Sequence, residues 1–353
     1  MREAFLKLVK LGIGHCVDFL PQNIDWQEVK DLAERQGLSS VVLDGIEKLP
    51  EQQRPPKRFL LEWIGETLQG YEYRYDQYRK TIAELAGFYN SHGYRMMVLK
   101  GYACSLDWPK PVHRPCGDID IWLFGKQKEA DKALTKEKGI DIDSSHHHHT
   151  VFYWGEFMVE NHYDFIDVHH RKSSPKLEKV FKRLGEDDSN SIELFGERVY
   201  LPNANLHALF LIYHTMLHFA STEMSVRQLM DWGLFAEKHK TEIDWNWLKE
   251  IITDVHLMDF FCTINTICVE DLGFDKFLLQ GLRCDPDLKM RVLNDTLWPE
   301  FPQNEPSSFL RRFWFRYRRW KANAWKNKLC YKESSWTIFW MAVWSHILKP
   351  NTI

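Results

Sequence analysis

Two aspartates stand two residues apart in the segment Gly117-Asp-Ile-Asp-Ile-Trp-Leu123. Its strict alternation predicts a β-strand with Asp118 and Asp120 on one face and Ile119 and Ile121 on the other. Side chains at i and i+2 of a strand lie about 7 Å apart. Two carboxylates held this close repel each other unless a cation lies between them. The pattern therefore predicts a site for a hard divalent ion, with phosphate oxygens completing its coordination.

A second motif with chemical potential precedes this strand. Tyr94–Leu99 is a short apolar run after a glycine, which predicts a buried strand, and Lys100-Gly101 follows it directly. A glycine here lets the backbone come close to a phosphate. Lys100 and the loop residue Arg114 are candidates for binding phosphate. Alternatively, Lys100 is a plain strand-end lysine and Arg114 holds a carbonyl or a carboxylate.

A third carboxylate is expected on a neighbouring strand. Alternation in Tyr163–His169 places Asp167 on one face and Ile166 and Val168 on the other. If the two aliphatic residues pack on helices, Asp167 shares the face of the first two aspartates. We therefore predict Asp167 as the third acidic residue, and Glu160, on the strand before, is the rival.

Together these motifs resemble a known family. The pattern VLKG…RPCGDIDIWL, sharpest in Leu99-Lys100-Gly101 and Arg114–Leu123, is similar to the uncharacterised bacterial nucleotidyltransferases of the DNA polymerase β-like superfamily. Members of that superfamily carry a glycine turn, then an Asp-x-Asp strand, then an acidic residue on a later strand. In the family a carboxylate followed by x-His stands at this later place, and Asp167-Val168-His169 matches it.

The resemblance implies a reaction and a set of residues. A nucleoside monophosphate would pass from an NTP to an acceptor hydroxyl or phosphate, with release of pyrophosphate. Two Mg²⁺ ions would be held by Asp118, Asp120 and Asp167, and Asp167 would activate the acceptor hydroxyl. The nucleotide would be bound by Lys100, Gly101, Arg114 and Gly117. The acceptor stays open: a small molecule, a sugar phosphate, RNA or a protein.

Substitutions follow from these assignments. Asp118→Asn or Asp120→Asn is expected to abolish Mg²⁺-dependent turnover and, by relieving repulsion, to keep or raise thermal stability. Asp167→Ala is expected to reduce turnover strongly, and Glu160→Ala only mildly. Two other functions stay open: a catalytically degenerate NTP-binding or scaffold protein of the same fold, and a hydrolase with a histidine-bound metal.

Histidine is concentrated near these motifs. Seven of the 16 histidines are His146–His149, His162, His169 and His170. Adjacent histidines on a strand point to opposite faces, and no cysteine or fixed ligand spacing accompanies the run. We therefore expect a polar loop or strand beside the cleft, with the histidine-metal hydrolase as the alternative.

The elements that position these residues lie between helical segments. Apolar residues recur every three or four positions in residues 1–92 and 203–305, whereas 93–202 reads as short strands and helices. We predict an α+β protein in which a small mixed nucleotidyltransferase-like sheet with helices is flanked by helical regions. Its parts are an N-terminal helical region (1–92), a catalytic core (93–202), a C-terminal helical domain (203–305) and a basic, aromatic-rich tail (306–353).

Composition narrows the class of protein. The 353 residues are 44 % hydrophobic and 27 % charged, which excludes a disordered or collagen-like chain. The net charge of -3 excludes a protein that binds nucleic acids nonspecifically over its whole surface. Seven cysteines are scattered without a CxxC pair, which favours a reducing cytoplasm over a disulfide scaffold or zinc ribbon. The N-terminus does not resemble a signal peptide, and no run approaches the ~20 apolar residues of a membrane helix.

The tail has its own pattern. Residues 309–328 contain eight Lys and Arg and no acidic residue. An aromatic stripe with helical spacing is formed by Phe309, Phe313, Tyr317, Trp320 and Ala324. Such a segment is typical of contact with RNA or with an anionic membrane, here the inner membrane face. Alternatively the helix is docked on the protein, and deleting 307–353 would then cause aggregation. Trp336–Leu348 is too short to span a bilayer.

Overall fold

The computed structural model describes residues 1–169, 173–221, 223–301 and 308–331, with Thr337 and Trp340. The chain divides into two compact units. The first comprises Met1–Pro55 and Leu211–Ser335, and the second is built around Pro56–Phe210. This division cuts across the four segments predicted from the sequence, because the first N-terminal helices pack with helices after residue 211, whereas those after Pro56 pack on the sheet.

Both units contain helices. The N-terminal helices are α1 (Arg2–Gly12), α2 (Trp26–Arg35) and α3 (Ser39–Glu47). Those of the second unit are α4 (Lys57–Thr67), α5 (Arg74–Ser91), α6 (Tyr102–Ser105), α7 (Gln127–Lys138) and α8 (Ser174–Leu184). The later helices are α9 (Ala204–Ser221), α10 (Val226–Lys238), α11 (Trp245–Asp254), α12 (Met258–Leu272), α13 (Pro286–Leu297), α14 (Phe309–Ala322) and α15 (Ala324–Cys330). No helix in the described ranges has the length and apolar character needed to cross a membrane.

The second unit contains a mixed sheet. Its strands are β1 (Met97–Val98), β2 (Ile119–Trp122), β3 (His149–Trp154), β4 (Phe157–His162), β5 (Ser191–Leu194) and β6 (Glu197–Tyr200). Among the described residues these six strands are ordered β3-β4-β2-β1-β6-β5. The pairs β2–β4 and β1–β6 are parallel, and the other neighbours are antiparallel. The sheet and its flanking helices confirm the predicted α+β class.

The alternation predicted for residues 117–123 is confirmed. Ile119 and Ile121 of β2 are fully buried in a core shared with Tyr78 and Tyr89 of α5. Burial of these two isoleucines on one face forces the intervening Asp120 to the opposite face of the strand. The core of the second unit thus fixes which way the aspartate points.

The strand predicted through Tyr163–His169 is absent, since β4 ends at His162 and the chain then turns. The backbone N–H groups of Phe165 and Ile166 donate to the carboxylate of Glu178 on α8, each at 3.0 Å. Donors used in this way are not available to a sheet neighbour. Burial raises the pKa of Glu178 to about 7.

In its described part, 308–331, the tail forms two helices, α14 and α15, where the sequence predicted one. In α15, Lys326 lies 2.5 Å from Asp295 of α13, and both side chains are 1 % exposed. Trp325 packs on Phe219 with ring centroids 5.5 Å apart. The part of the tail that forms α15 is therefore docked in the first unit. The side chains of Phe309 and Phe313, and almost all of Trp336–Leu348, lie outside the described residues.

The remaining part of the predicted stripe is only partly exposed. Tyr317 is 39 % exposed, whereas Trp320 is half-buried. Four of the five arginines of α14 are exposed, namely Arg311, Arg312, Arg316 and Arg318, and Arg319 is half-buried. Binding of this surface to an anionic membrane or to RNA stays a prediction.

Replacing Lys326 by alanine is expected to destabilise the protein by about 3–5 kcal/mol, because it leaves the buried carboxylate of Asp295 without its ion-pair partner. The control is Arg318→Ala, an exposed change of the same tail that is expected to stay within about 0.5 kcal/mol. Urea unfolding of both variants measures the difference. Equal stabilities would contradict the docked tail.

Candidate active site

Three polar side chains converge on the face of the sheet opposite the isoleucines of β2. Asp120 on β2 pairs in register with Glu160 on the parallel strand β4, so the two carboxylates project from the same face. His162, two residues after Glu160, shares that face. One ligand atom from each of the three lies within 4.8 Å of the others. The sheet register therefore assembles a carboxylate–carboxylate–imidazole cluster.

Lys100 and Asp118 complete this cluster. Lys100 follows β1, and its Nζ lies 2.9 Å from Asp120 Oδ1 and 3.8 Å from Asp118 Oδ2. The Asp118 side chain is 37 % exposed, whereas that of Asp120 is 1 % exposed. The two aspartates therefore share one cationic neighbour but differ in environment, Asp120 at the base of the site and Asp118 at its rim.

The charges of the cluster stabilise one another. Burial disfavours the ammonium of Lys100, but the carboxylates of Asp120, Asp118 and Glu160 outweigh it and raise the pKa of Lys100. Burial likewise disfavours ionised Glu160, yet the hydrogen bond from His162 and the charge of Lys100 lower its pKa. Despite burial, hydrogen bonds to Asp120 and Glu160 raise the pKa of His162 to about 9.

The His162 ring has a fixed orientation. Its Nδ1 lies 3.2 Å from the backbone carbonyl of Asp164, and a carbonyl can only accept, so Nδ1 carries the proton. Its Nε2 faces the carboxylates, 3.2 Å from Asp120 Oδ1 and 3.7 Å from Glu160 Oε2. This backbone partner holds the ring in the way that outer partners orient metal-binding histidines.

Two residues of the histidine run, His148 and His149, lie close to this cluster. His149 begins β3 and pairs in register with His162, and its Nε2 lies 3.9 Å from Glu160 Oε1. Burial and the neighbouring charge of His162 lower the pKa of His149 to about 4. The same causes lower the pKa of His148 well below its usual range. The run is thus part strand and part loop, as predicted, with His149 beside Glu160 and His148 beside the rings of His149 and His162.

The placement of Asp167 on a strand was wrong. Asp167 lies in the turn after β4, where its Oδ1 accepts a hydrogen bond from the backbone N–H of His169 at 2.7 Å. Glu160, the rival, is the carboxylate beside Asp120. A signal for it exists in the sequence, because Glu160-Asn161-His162 has the same acid-x-His pattern one strand earlier.

Gly101 is required by the local packing. It has φ +56° and begins α6, and a Cβ on it would collide with the hydroxyl of Tyr78. That hydroxyl donates to the backbone carbonyl of Asp118 at 2.7 Å. The glycine thus allows Tyr78 to hold the start of the aspartate strand. A contact between Gly101 and phosphate stays a prediction.

Arg114 and Gly117, the other residues predicted to bind nucleotide, lie on the loop between α6 and β2. Arg114 is buried, and its Nη1 donates to the carbonyl of Pro115 at 3.2 Å, which matches the alternative that it holds a carbonyl. Gly117 is exposed directly before Asp118. Phosphate binding by Arg114 and by Gly117 stays a prediction.

The donor set fits Mg²⁺. Asp118, Asp120 and Glu160 offer carboxylate oxygens, the ligands that this ion prefers. Asp120 Oδ2 is buried, and among the described residues it has no hydrogen-bond partner. A buried carboxylate oxygen without a donor is costly unless a cation binds it.

Comparison with known proteins assigns the class. A family model described as uncharacterised nucleotidyltransferase matches residues 22–273, more than half of the chain and all of the cluster. The chain belongs to this family of uncharacterised nucleotidyltransferases. No curated protein matches it.

A solved structure that the chain resembles is an antigenic nucleotidyltransferase-like protein from Paracoccidioides brasiliensis. The two are 13 % identical with a TM-score of 0.36, over 51 % of this chain and 87 % of that one. The assignment therefore rests on the family match.

Proposed function

We propose that the protein is a Mg²⁺-dependent nucleotidyltransferase that moves a nucleoside monophosphate from an NTP to an acceptor hydroxyl or phosphate. The observation that carries this proposal is the in-register pairing of Asp120 and Glu160 on parallel strands, with Asp118 two residues before. The family of the chain supports the reaction class. The acceptor remains one of a small molecule, a sugar phosphate, RNA or a protein.

Asp118, Asp120 and Glu160 would hold the metal, so Glu160 takes the place first given to Asp167. Bound Mg²⁺ neutralises triphosphate charge and lowers the pKa of an acceptor hydroxyl. Lys100 keeps its positive charge and is anchored by Asp120 at 2.9 Å, which suits it to contact a phosphate oxygen. Glu160 stays ionised and can orient and polarise the hydroxyl of the acceptor.

One observation favours a second candidate, an NTP-binding protein without turnover. The ammonium of Lys100 lies 2.9 Å from Asp120 and 3.8 Å from Asp118 and offsets part of their negative charge without a metal. Such a protein would bind nucleotide and release no pyrophosphate. Measuring both quantities on the same sample separates the two functions.

The test is a screen of α-labelled NTPs with Mg²⁺ and a cell extract. We expect label to pass to an acceptor with stoichiometric release of pyrophosphate. The control is Asp118→Asn, whose exposed position leaves the fold intact, and it should abolish the transfer. Nucleotide binding without labelled acceptor or pyrophosphate would support the scaffold instead.

A further inference from the structure

We propose that His148, His149 and His162 form a binding site for a divalent transition metal of the zinc type, next to the carboxylates of the candidate active site. Each residue offers one ring nitrogen, and the three nitrogens lie within 4.8 Å of one another. The site uses ring nitrogens rather than the oxygen ligands assigned to Mg²⁺, and it borders those ligands, because His162 Nε2 lies 3.2 Å from Asp120 Oδ1. Its existence does not depend on nucleotidyl transfer.

The spacing of the three rings suits one ion. Their centroids are 4.3 Å (His148–His149), 5.3 Å (His149–His162) and 5.5 Å (His148–His162) apart. Two nitrogens bound tetrahedrally to one zinc at about 2.0–2.1 Å lie about 3.4 Å from each other. The ring nitrogens therefore need to approach one another by up to about 1.4 Å, a shift that side-chain rotation can supply.

Two features of the histidines point to a ligand. His149 is 6 % exposed, and within the described part of the chain its Nδ1 has no hydrogen-bond partner. Leaving a buried ring nitrogen unsatisfied is costly, and a metal bound at this Nδ1 would remove that cost. His162 is oriented by the Asp164 carbonyl at 3.2 Å, which leaves Nε2 directed at the cluster.

The backbone presents these ligands rigidly. His149 and His162 face each other across the antiparallel pair β3–β4, so the sheet fixes their spacing. His148 directly precedes β3. Sites built on strands hold their geometry better than sites on loops.

Donor chemistry selects the kind of metal. Imidazole nitrogens suit Zn²⁺, Co²⁺, Ni²⁺ and Cu²⁺, whereas Mg²⁺ prefers oxygen. Three protein ligands leave a fourth position open, as in zinc sites that bind water or substrate. Asp120 and Glu160 supply negative charge beside this position. A metal at His162 Nε2 replaces the proton that this nitrogen shares with Asp120.

The site is more than the run of four histidines. His162 lies 13 residues beyond the run and contributes one of the three ligands. Within the run, His147 instead contacts His169, with ring centroids 5.0 Å apart. The run is therefore divided, and only part of it faces β4.

The experiment is a titration of the full chain with Co²⁺ alone, followed by its visible absorption, with Zn²⁺ added in competition. We expect one Co²⁺ per chain in a nitrogen-rich tetrahedral spectrum that Zn²⁺ abolishes. His149→Ala, His162→Ala and His148→Ala should each weaken Co²⁺ binding by at least about 100-fold. Losing a ligand costs at least as much as the largest effect of losing a residue that only orients a ligand. His147→Ala is the matched control and should keep the wild-type affinity.

Three results would overturn the proposal. Full affinity in His162→Ala would mean that the run alone binds the ion. Loss of the signal in His214→Ala would move the site to His214 and His218, whose Nε2 atoms are 3.0 Å apart. No bound Co²⁺ in the wild type would remove the site altogether.

Folding and nucleotide chemistry are tested separately. Circular dichroism and urea unfolding without metal show whether each variant folds. If a variant of the buried His149 or His162 does not fold, His148→Ala, at a partly exposed position, tests the site in its place. Zn²⁺ should raise the unfolding midpoint of the wild type and not of His148→Ala. Asp118→Asn should bind Co²⁺ normally, so a failed NTP assay and a failed metal site are distinguishable. Loss of Co²⁺ binding in Asp118→Asn would contradict a separate site.

Discussion

Asp120→Asn is expected to lower turnover by at least about 100-fold, since a buried metal ligand supplies several kcal/mol to the transition state. It should also lower the free energy of unfolding by about 3 kcal/mol, because Lys100 and His162 lose their buried counter-charge. This reverses the expectation drawn from carboxylate repulsion alone. Steady-state pyrophosphate release and urea unfolding measure the two effects.

Asp118→Asn is the matched control for that variant. Its side chain is 37 % exposed and lies 3.8 Å from Lys100, so its loss should change stability by less than about 1 kcal/mol. Turnover should still fall strongly if Asp118 binds the metal. Full activity in Asp120→Asn would show that the metal assignment is wrong, whatever the stability.

Glu160→Gln is expected to reduce turnover by about 10²–10⁴-fold, the usual contribution of a residue that handles the proton of the nucleophile. NTP affinity should change little, because the proposed partner of Glu160 is the acceptor side of the site. Asp167→Asn should stay within about tenfold of the wild type, since Asp167 lies in the turn after β4. The measurements are turnover and equilibrium NTP binding for both variants.

The relative turnover of Glu160→Gln and Asp167→Asn decides between Asp167, which was assigned from the sequence, and Glu160, which was assigned from the structure. A strong effect at Asp167 with a mild one at Glu160 would restore the assignment made from alternation and from the family pattern. Far-UV circular dichroism of both proteins guards against a loss caused by unfolding. Glu160→Asp adds a second control, since a shortened carboxylate should recover part of the activity.

Local pattern was sufficient for the first half of the site. Alternation has a period of two residues, so burial of Ile119 and Ile121 places Asp120 on the other face whatever the rest of the fold does. The same reasoning placed Lys100 after a buried strand. The α+β class followed in the same way, from helical spacing on either side of a strand-rich segment.

The third carboxylate depended on contacts that are distant in sequence. Glu160 lies beside Asp120 because β4 pairs in parallel with β2 across 40 positions of chain. Asp167 does not lie on a strand, because Glu178 accepts hydrogen bonds from the backbone N–H groups of Phe165 and Ile166. A periodic pattern describes one segment at a time and contains neither the strand register nor the competing hydrogen bonds.

The sequence by itself therefore determined the class of fold, the faces of single strands and the pair of aspartates, because these follow from short-range periodicity. Only the tertiary structure decided that Glu160 lies beside Asp120, that His148, His149 and His162 meet, and that Lys326 docks the tail on Asp295. Side chains far apart in the chain come together through sheet register and helix packing. Those are set by the free energy of the whole core rather than by any one segment.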